Sequence, residues 1–431
     1  MAGFLIYWKA SMVRKLVAVS TLLIILASTL VTVSSAAFAK ESQPGPIIKP
    51  LPKSERKPLT IARSCDEKKG NCPKVNASEN VQDIKNCEIA DQTADWRVSS
   101  GFPRYPDAIV GEAKIDILVM PFEFADKKFS EKLYKNLQKE AKITEALYKR
   151  ISNGVVELNM VFPKKADWVR FPKNNSDYLS MITSYETAIN LVLNQGAYLK
   201  PADYDAIYLH SPWNFVANNL DQSDSRPFES QGNRVARARL NWGNIETYGH
   251  YAHEFGHDLF YLEDIYDRSK SGEAFQPSGT WDLMGAGGAF FGWFMYLNGW
   301  ITGDQIDCLP PTVQSATHLL TPTSTRYGKK LIAITGEPGK LLMVEYRTGR
   351  VDEDLLSDGI CNTGACAGDR NEGLVIYFLD TTINHLRGPI SVPAKYYAKT
   401  MVTGERITYR GYKIEFLAKG RNGAYVRVGR A

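Results

Sequence analysis

Histidine and cysteine are both scarce in this chain, with six of each among 431 residues. No cysteine pair has the spacing of a structural zinc ribbon. The net charge is only +5. No basic cluster with interleaved aromatics occurs, which excludes a dedicated nucleic-acid protein. Beyond residues 16–37, no stretch is apolar and long enough to cross a membrane. What remains is ordinary globular composition, 44% apolar, and enough length for two domains plus accessory segments.

The N-terminus carries a processing pattern. Lys9, Arg14 and Lys15 precede an apolar run from Leu16 to Ala37, and Ala37-Phe38-Ala39 supplies small residues for cleavage. This reads as a secretory signal peptide over 1–39, with Met12 an alternative start. Retention as an anchor is the competing reading, because the run nearly spans a bilayer. The six cysteines, Cys65, Cys72, Cys87, Cys308, Cys361 and Cys366, all lie beyond it. An even count there fits disulfides in an oxidising compartment. Cys361 with Cys366 is the easiest local pair and Cys65 with Cys72 the second; fifteen pairings are formally open.

Two of the six histidines sit in His253-Glu254-Phe255-Gly256-His257. Residues four apart share a helix face, so two imidazoles at this spacing can grip one metal ion. Glu254 is placed to reach a water at that metal, the HExxH chemistry of a zinc peptidase. Phe255, Leu259, Phe260 and Leu262 fit a buried helical face. A catalytic zinc takes three protein ligands and leaves one position for water. Glu263 and Asp264 both stand where the chain must leave the helix. Glu273 is a more distant candidate, in a polar Gly-containing loop. His250 shares the helix face, as a supporting or surface residue. Met284, in Trp281-Asp282-Leu283-Met284-Gly285, would be a soft apolar floor beneath the imidazoles, or an ordinary core methionine.

The run from His253 to Asp267, with Trp281-Asp282-Leu283-Met284, resembles the immune inhibitor A family of secreted bacterial zinc metalloproteases, in the metzincin clan. Leu262-Glu263-Asp264-Ile265-Tyr266-Asp267 is similar to the family's Leu-Pro-Asp-x-Tyr-Asp segment. The resemblance implies Asp264 as third zinc ligand and Met284 as the Met-turn residue. This chain departs in two ways. Phe260 stands where the family has glycine, and the segment from His257 to Asp264 is one residue longer. Counted strictly from His253, the third-ligand position falls on Glu263. The flanking Leu262 and Ile265-Tyr266-Asp267 favour Asp264.

Ile115 to Phe122 reads as a buried strand and Ser130 to Ser152 as an amphipathic helix stopped by Asn153-Gly154. Strands follow at 155–162, 167–171 and 206–210, and a helix at 178–199. From about residue 310 short strands alternate with turns, at 330–334, 341–346, 374–379, 412–417 and 424–428. The expected fold class is α+β. A metzincin-like catalytic domain at 109–305 carries a mixed twisted sheet, the zinc helix and the Met-turn, and an antiparallel β-sandwich follows at 306–431. Residues 40–108 read as a pro-segment or a cysteine-tied N-terminal extension. Asp380 closes a loop and is a calcium candidate with no supporting motif.

The expected activity is that of a secreted zinc endopeptidase acting on protein or peptide substrates. Zinc on His253, His257 and Asp264 would acidify a water, and Glu254 would serve as general base. No nucleic-acid partner and no stable membrane association after signal cleavage are expected. The competing class is an exported binding or adhesion protein with a degenerate protease domain, motivated by Phe260 and the lengthened loop.

Overall fold

The computed structural model describes residues 64–93, 98–181, 185–196, 200–212, 223–224, 228–230, 233–235, 237–242, 250–272, 275–285, 287–348, 372–384 and 386–431. The signal segment, Glu273, Cys361 and Cys366 lie outside them, as does the side chain of His250.

Strand β1 (Ala113–Glu123) is apolar on both faces, which suits a parallel strand covered on each side. Ile115, Ile117 and Val119 enter one core cluster, and Leu118, Met120 and Phe122 the other. The first side is covered by α1 (Glu131–Ile151), through Leu133, Leu137, Ala141 and Tyr148. Ser130 caps α1 by accepting from Leu133 N at 3.0 Å. Asn153 and Gly154 end the helix turn at φ 56° and 76°, a left-handed pair that asparagine and glycine adopt readily.

Strands β2 (Val156–Val161), β3 (Val169–Arg170) and β4 (Ala206–Ser211) all pair in parallel with β1. Helix α2 (Tyr185–Gln195) covers the second side through Ala188, Ile189, Val192 and Leu193. It is shorter than the 178–199 expected, because Leu179–Met181 is a separate 3-10 turn. Beyond it, β5 (Ser223–Asp224) is an antiparallel edge, and β6 (Phe228–Ser230) pairs with β7 (Asn233–Val235). Strand β8 (Ala238–Trp242) runs parallel to β4, with Tyr208 opposite Arg239. The order is β2-β1-β4-β8-β5, with β3 also on β1.

Helix α3 (His250–Asp258) packs on the α1 side of this sheet, its Tyr251 and Phe255 sharing a cluster with Tyr148. Tyr148 donates from its hydroxyl to Ala252 O at 2.7 Å. Buried Glu140 of α1 accepts from Tyr251 N at 3.2 Å, an acid at the positive end of α3. Helix α4 (Gly292–Leu297) follows.

Among the described residues the remainder is mainly β structure, and each C-terminal strand expected from sequence is present. One sheet joins β9 (Ile306–Leu309), β11 (Leu331–Thr335), β12 (Lys340–Arg347), β13 (Gly373–Asp380) and β14 (Ile390–Ser391). The other joins β10 (Ala316–Leu320), β15 (Arg406–Tyr409), β16 (Tyr412–Lys419) and β17 (Ala424–Arg430). Pairing is antiparallel except between β9 and β11. Alternation in β12 explains how the layers join. Leu342, Val344 and Tyr346 enter a core shared with β10, β16 and β17, while Leu341 and Met343 enter the cluster that holds α1 and α3. Asp380 closes the turn after β13, accepting from Thr382 N at 3.0 Å.

The segment before β1 is tied in twice. Cys65 bonds Cys72, one of the local pairs read from sequence, and Cys87 bonds Cys308 in β9, a pairing across 221 residues that the sequence left open. The described residues fall within one compact unit. Among them no helix is long and apolar enough to cross a membrane.

Candidate metal centre

Helix α3 carries His253, Glu254 and His257 at its C-terminal half, and each brings a potential ligand atom within 4.8 Å of the others. The two Nε2 atoms are 3.2 Å apart. Each Nδ1 faces a backbone carbonyl at 2.7 Å, His253 that of Leu283 and His257 that of Leu262. A carbonyl can only accept, so Nδ1 is the donor and both Nε2 lone pairs converge.

Asp264 closes the group. Its Oδ1 lies 3.1 Å from His253 Nε2 and 3.2 Å from His257 Nε2. That oxygen is buried without a hydrogen-bond partner. Its other oxygen accepts from Tyr266 Oη at 2.7 Å, which fixes the carboxylate. Three acceptor atoms at this spacing repel one another unless a cation lies among them. Ligands at about 2.0–2.1 Å in a tetrahedron are about 3.3–3.4 Å apart, so the triangle fits a zinc-sized ion. Asp264 also favours positive charge at His253, which a proton or a metal ion can supply. Burial alone would lower the His253 imidazole, but Asp264 outweighs it and pushes it up to about 9. Burial would raise Asp264, yet the imidazoles hold it well below the usual carboxylate range.

Glu263, the other carboxylate singled out in the sequence, lies apart from the triangle's contacts. It is fully buried and accepts from Ser100 Oγ at 2.5 Å. Burial first, and then the nearby Asp91 charge, push it up to about 8. The turn explains the choice. Helix α3 ends at Asp258 and Tyr261 takes φ 50°, the left-handed residue of the exit. Leu262 N then reaches back to Gly256 O at 2.9 Å. This turn carries Asp264 to the imidazoles. Phe255, Leu259, Phe260 and Leu262 are all buried, although the last three lie past the helix.

Met284 lies directly under α3. A Cβ built on Gly256 would collide with Met284 Sδ, so only glycine lets the methionine approach so closely. The 281–284 turn is held by Asp282, whose carboxylate accepts from Met284 N at 2.8 Å and from Phe291 N. Ile265 N donates to Met284 O at 3.1 Å, joining the loop that bears Asp264, the candidate ligand loop, to the turn.

One central residue was missed in the sequence. Arg239 of β8 is buried, with Nη2 at 2.5 Å from Glu254 Oε2 and Nε at 2.6 Å from Asp258 Oδ2. Tyr208, its neighbour across the β4–β8 ladder, also donates to Asp258 Oδ2. Burial alone would lower the Arg239 guanidinium, but Asp258 and Glu254 hold it well above its ordinary value. The only sequence signal was an arginine inside an alternating strand. Tyr266 was visible only as part of the family-like segment.

The sheet, the crossing helix and the histidine–carboxylate triangle agree with a peptidase domain, the class that the comparison with known families also gives. Residues 200–315 match the model of the immune inhibitor A peptidase M6 catalytic domain. The immune inhibitor A-like character read from the motifs therefore holds, over the segment that contains α3, the ligand loop and the 281–284 turn. No curated protein matches the chain.

Proposed function

We propose that this protein is a secreted zinc endopeptidase, with His253, His257 and Asp264 as ligands, Glu254 as general base and Met284 as the Met-turn floor. The triangle of two Nε2 atoms and Asp264 Oδ1, with edges of 3.1–3.2 Å, carries the reading. A divalent ion held there supplies Lewis acidity towards a carbonyl and acidifies water.

The chain's own residues do the rest. Leu283 O and Leu262 O fix the ring tautomers and orientations. Arg239 grips Oε2 of Glu254, so the proton is taken from water and handed to the leaving amine at Oε1. The 9-residue α3 presents His253, Glu254 and His257 half-buried. Two disulfides suit an oxidising compartment, and the N-terminal pattern at 1–39 supports export. We read the two C-terminal sheets, with their shared core, as the β-sandwich expected at 306–431.

The alternative, a binding protein with a degenerate site, has no structural observation in its favour, since the donor set and the general base stand together. Glu254→Gln tests the proposal. The variant is expected to keep zinc and lose proteolysis of casein by at least ~100-fold. Wild-type turnover with zinc content unchanged would remove Glu254 from the reaction. A wild-type protein that takes up no zinc when offered it would be the binding protein instead.

A further inference from the structure

The last carbonyls of a helix and of the turn after it have no intrahelical partner. After α3 the carbonyls of Phe255, Gly256 and His257 are taken within the exit turn, by Leu259 N, Leu262 N and Tyr261 N, and the turn's own carbonyls, of Leu259, Phe260 and Tyr261, need partners from elsewhere. All three are taken by one stretch of the N-terminal segment. Ile109 N donates to Leu259 O at 2.9 Å, and Ser99 N donates to Tyr261 O at 2.9 Å. Arg104 Nη2 donates to Phe260 O and, at 3.3 Å, to Tyr261 O. Its Nη1 donates to Ser99 O at 3.1 Å, so one guanidinium joins both sides of the contact. Arginine here also sets a cation at the negative end of α3.

The same stretch reaches the ligand loop further on. Ser100 Oγ holds Glu263, the residue before Asp264, and Ser100 O accepts from Trp293 Nε1 at 2.7 Å. Tyr105 meets the Tyr261 ring edge-on at 6.1 Å. Tyr261 needs such support, since a bulky side chain seldom adopts φ 50°. The stretch is itself secured through Cys87–Cys308 and through Phe102 N, which donates to Ile89 O at 2.9 Å.

We propose that Arg104 is a positioning residue for the metal centre, holding the lengthened loop so that Asp264 meets the imidazoles. On this account Cys87 to Ile109 stays in the working enzyme and is not a discarded pro-segment. The proposal rests on His253, His257 and Asp264 being metal ligands.

Zinc affinity measured by chelator competition on the secreted chain tests it, alongside thermal unfolding and intact mass under reducing and non-reducing conditions. Arg104→Ala is expected to bind zinc about tenfold to a hundredfold more weakly than wild type. Arg104→Lys keeps the charge but lacks the fork, and falls between the two. Val428→Ala, buried in β17 far along the chain, is expected to lower the unfolding temperature and keep wild-type affinity. Active protein retains residues 87–109 by mass.

Wild-type zinc affinity in Arg104→Ala overturns the proposal. So does an equal loss in Val428→Ala, or an active enzyme that lacks residues 87–109. Should Arg104→Ala fail to fold, wild-type affinity in Arg104→Lys overturns it alone. A wild-type protein that binds no zinc refutes the metal assignment itself, an outcome separate from any difference between variants.

Discussion

Replacing Gly256 by alanine pits two physical effects of opposite sign against each other. Gly256 lies inside α3, where alanine is favoured over glycine by about 0.8–1 kcal/mol. On propensity alone Gly256→Ala stabilises. The new Cβ, however, falls on Met284 Sδ and sits 3.0 Å from Met284 Cε, with Phe290 Cζ 3.7 Å away. Methionine is flexible, but this one is wholly enclosed and has no open space to retreat into. Overpacking of this kind costs about 1–3 kcal/mol. The net is a destabilisation of about 0–2 kcal/mol, a degree or two in unfolding temperature for a body of this size.

Metal binding is expected to report the clash more sharply. Met284 is joined to Leu283, whose carbonyl holds His253 Nδ1, and its own carbonyl holds Ile265 N in the ligand loop. If the clash is relieved by moving the 281–284 turn, most of the 1–3 kcal/mol falls on the metal-bound state, weakening zinc by about tenfold to a hundredfold. The assay is chelator competition on Gly256→Ala, on Met284→Ala and on the double variant. The double variant is expected to recover affinity relative to Gly256→Ala, because the obstructing thioether is gone. An unfolding temperature raised by a degree with wild-type zinc affinity would show that α3 and the turn are not in contact as described.

Asp264→Asn is expected to lose zinc by more than the ~10–100-fold typical of a residue that only supports a ligand, while Glu263→Gln keeps most of the affinity. The reverse order, by the same competition assay, would exchange their roles. Arg239→Lys cannot bridge Glu254 and Asp258 as a fork does. Its kcat on a fluorogenic peptide is expected to fall about 10–100-fold, with zinc content and KM nearly unchanged, and a change in KM alone would deny it a part in aiming the base. Burial works against the Asp307 carboxylate, but hydrogen bonds from His318 and Lys329 hold it below its usual range. Such a group stabilises the fold fully above about pH 4, and that contribution is lost as pH falls through the lower folded value. The stability gap between wild type and Asp307→Asn is therefore expected to close on acidification below about pH 4. A gap that stays constant from about pH 6 to 3 in urea unfolding would contradict this.

What could be read in the sequence was what periodicity and local chemistry carry. The apolar run of β1, the stripe of α1 and its Asn153-Gly154 stop all follow from neighbours within a few residues. So does the pairing of His253 with His257 on one helix face. Which carboxylate is the third ligand was not readable this way. Glu263 and Asp264 are adjacent and chemically alike, and both follow a left-handed turn at Tyr261, a residue type that seldom signals one. Arg239 escaped because its role comes from register: only the pairing of β8 with β4 sets it beside Tyr208 and under α3. Cys87–Cys308 escaped because a contact across 221 residues leaves no local trace.

The 281–284 turn shows why the centre cannot be understood as the property of α3 alone. Its geometry is fixed from the far side by two buried residues of β12. Arg347 donates to Trp281 O at 2.8 Å and to Phe290 O at 3.0 Å, bracketing the turn. Glu345 balances that guanidinium at 2.5 Å and accepts from Gly292 N at 2.7 Å, at the start of α4. A buried arginine without its carboxylate, or the reverse, is strongly destabilising, so the pair and the turn stand or fall together. The imidazole of His253 thus takes its orientation from Leu283 O, Leu283 from the turn, and the turn from a strand about 60 residues downstream. Residues 99–109 do the same for the loop bearing Asp264. Segments that precede and follow the motif in sequence, 99–109 and 345–347, therefore both brace the one three-atom triangle. Its edges of 3.1–3.2 Å are a property of the whole folded body, and the five-residue motif supplies only two of its corners.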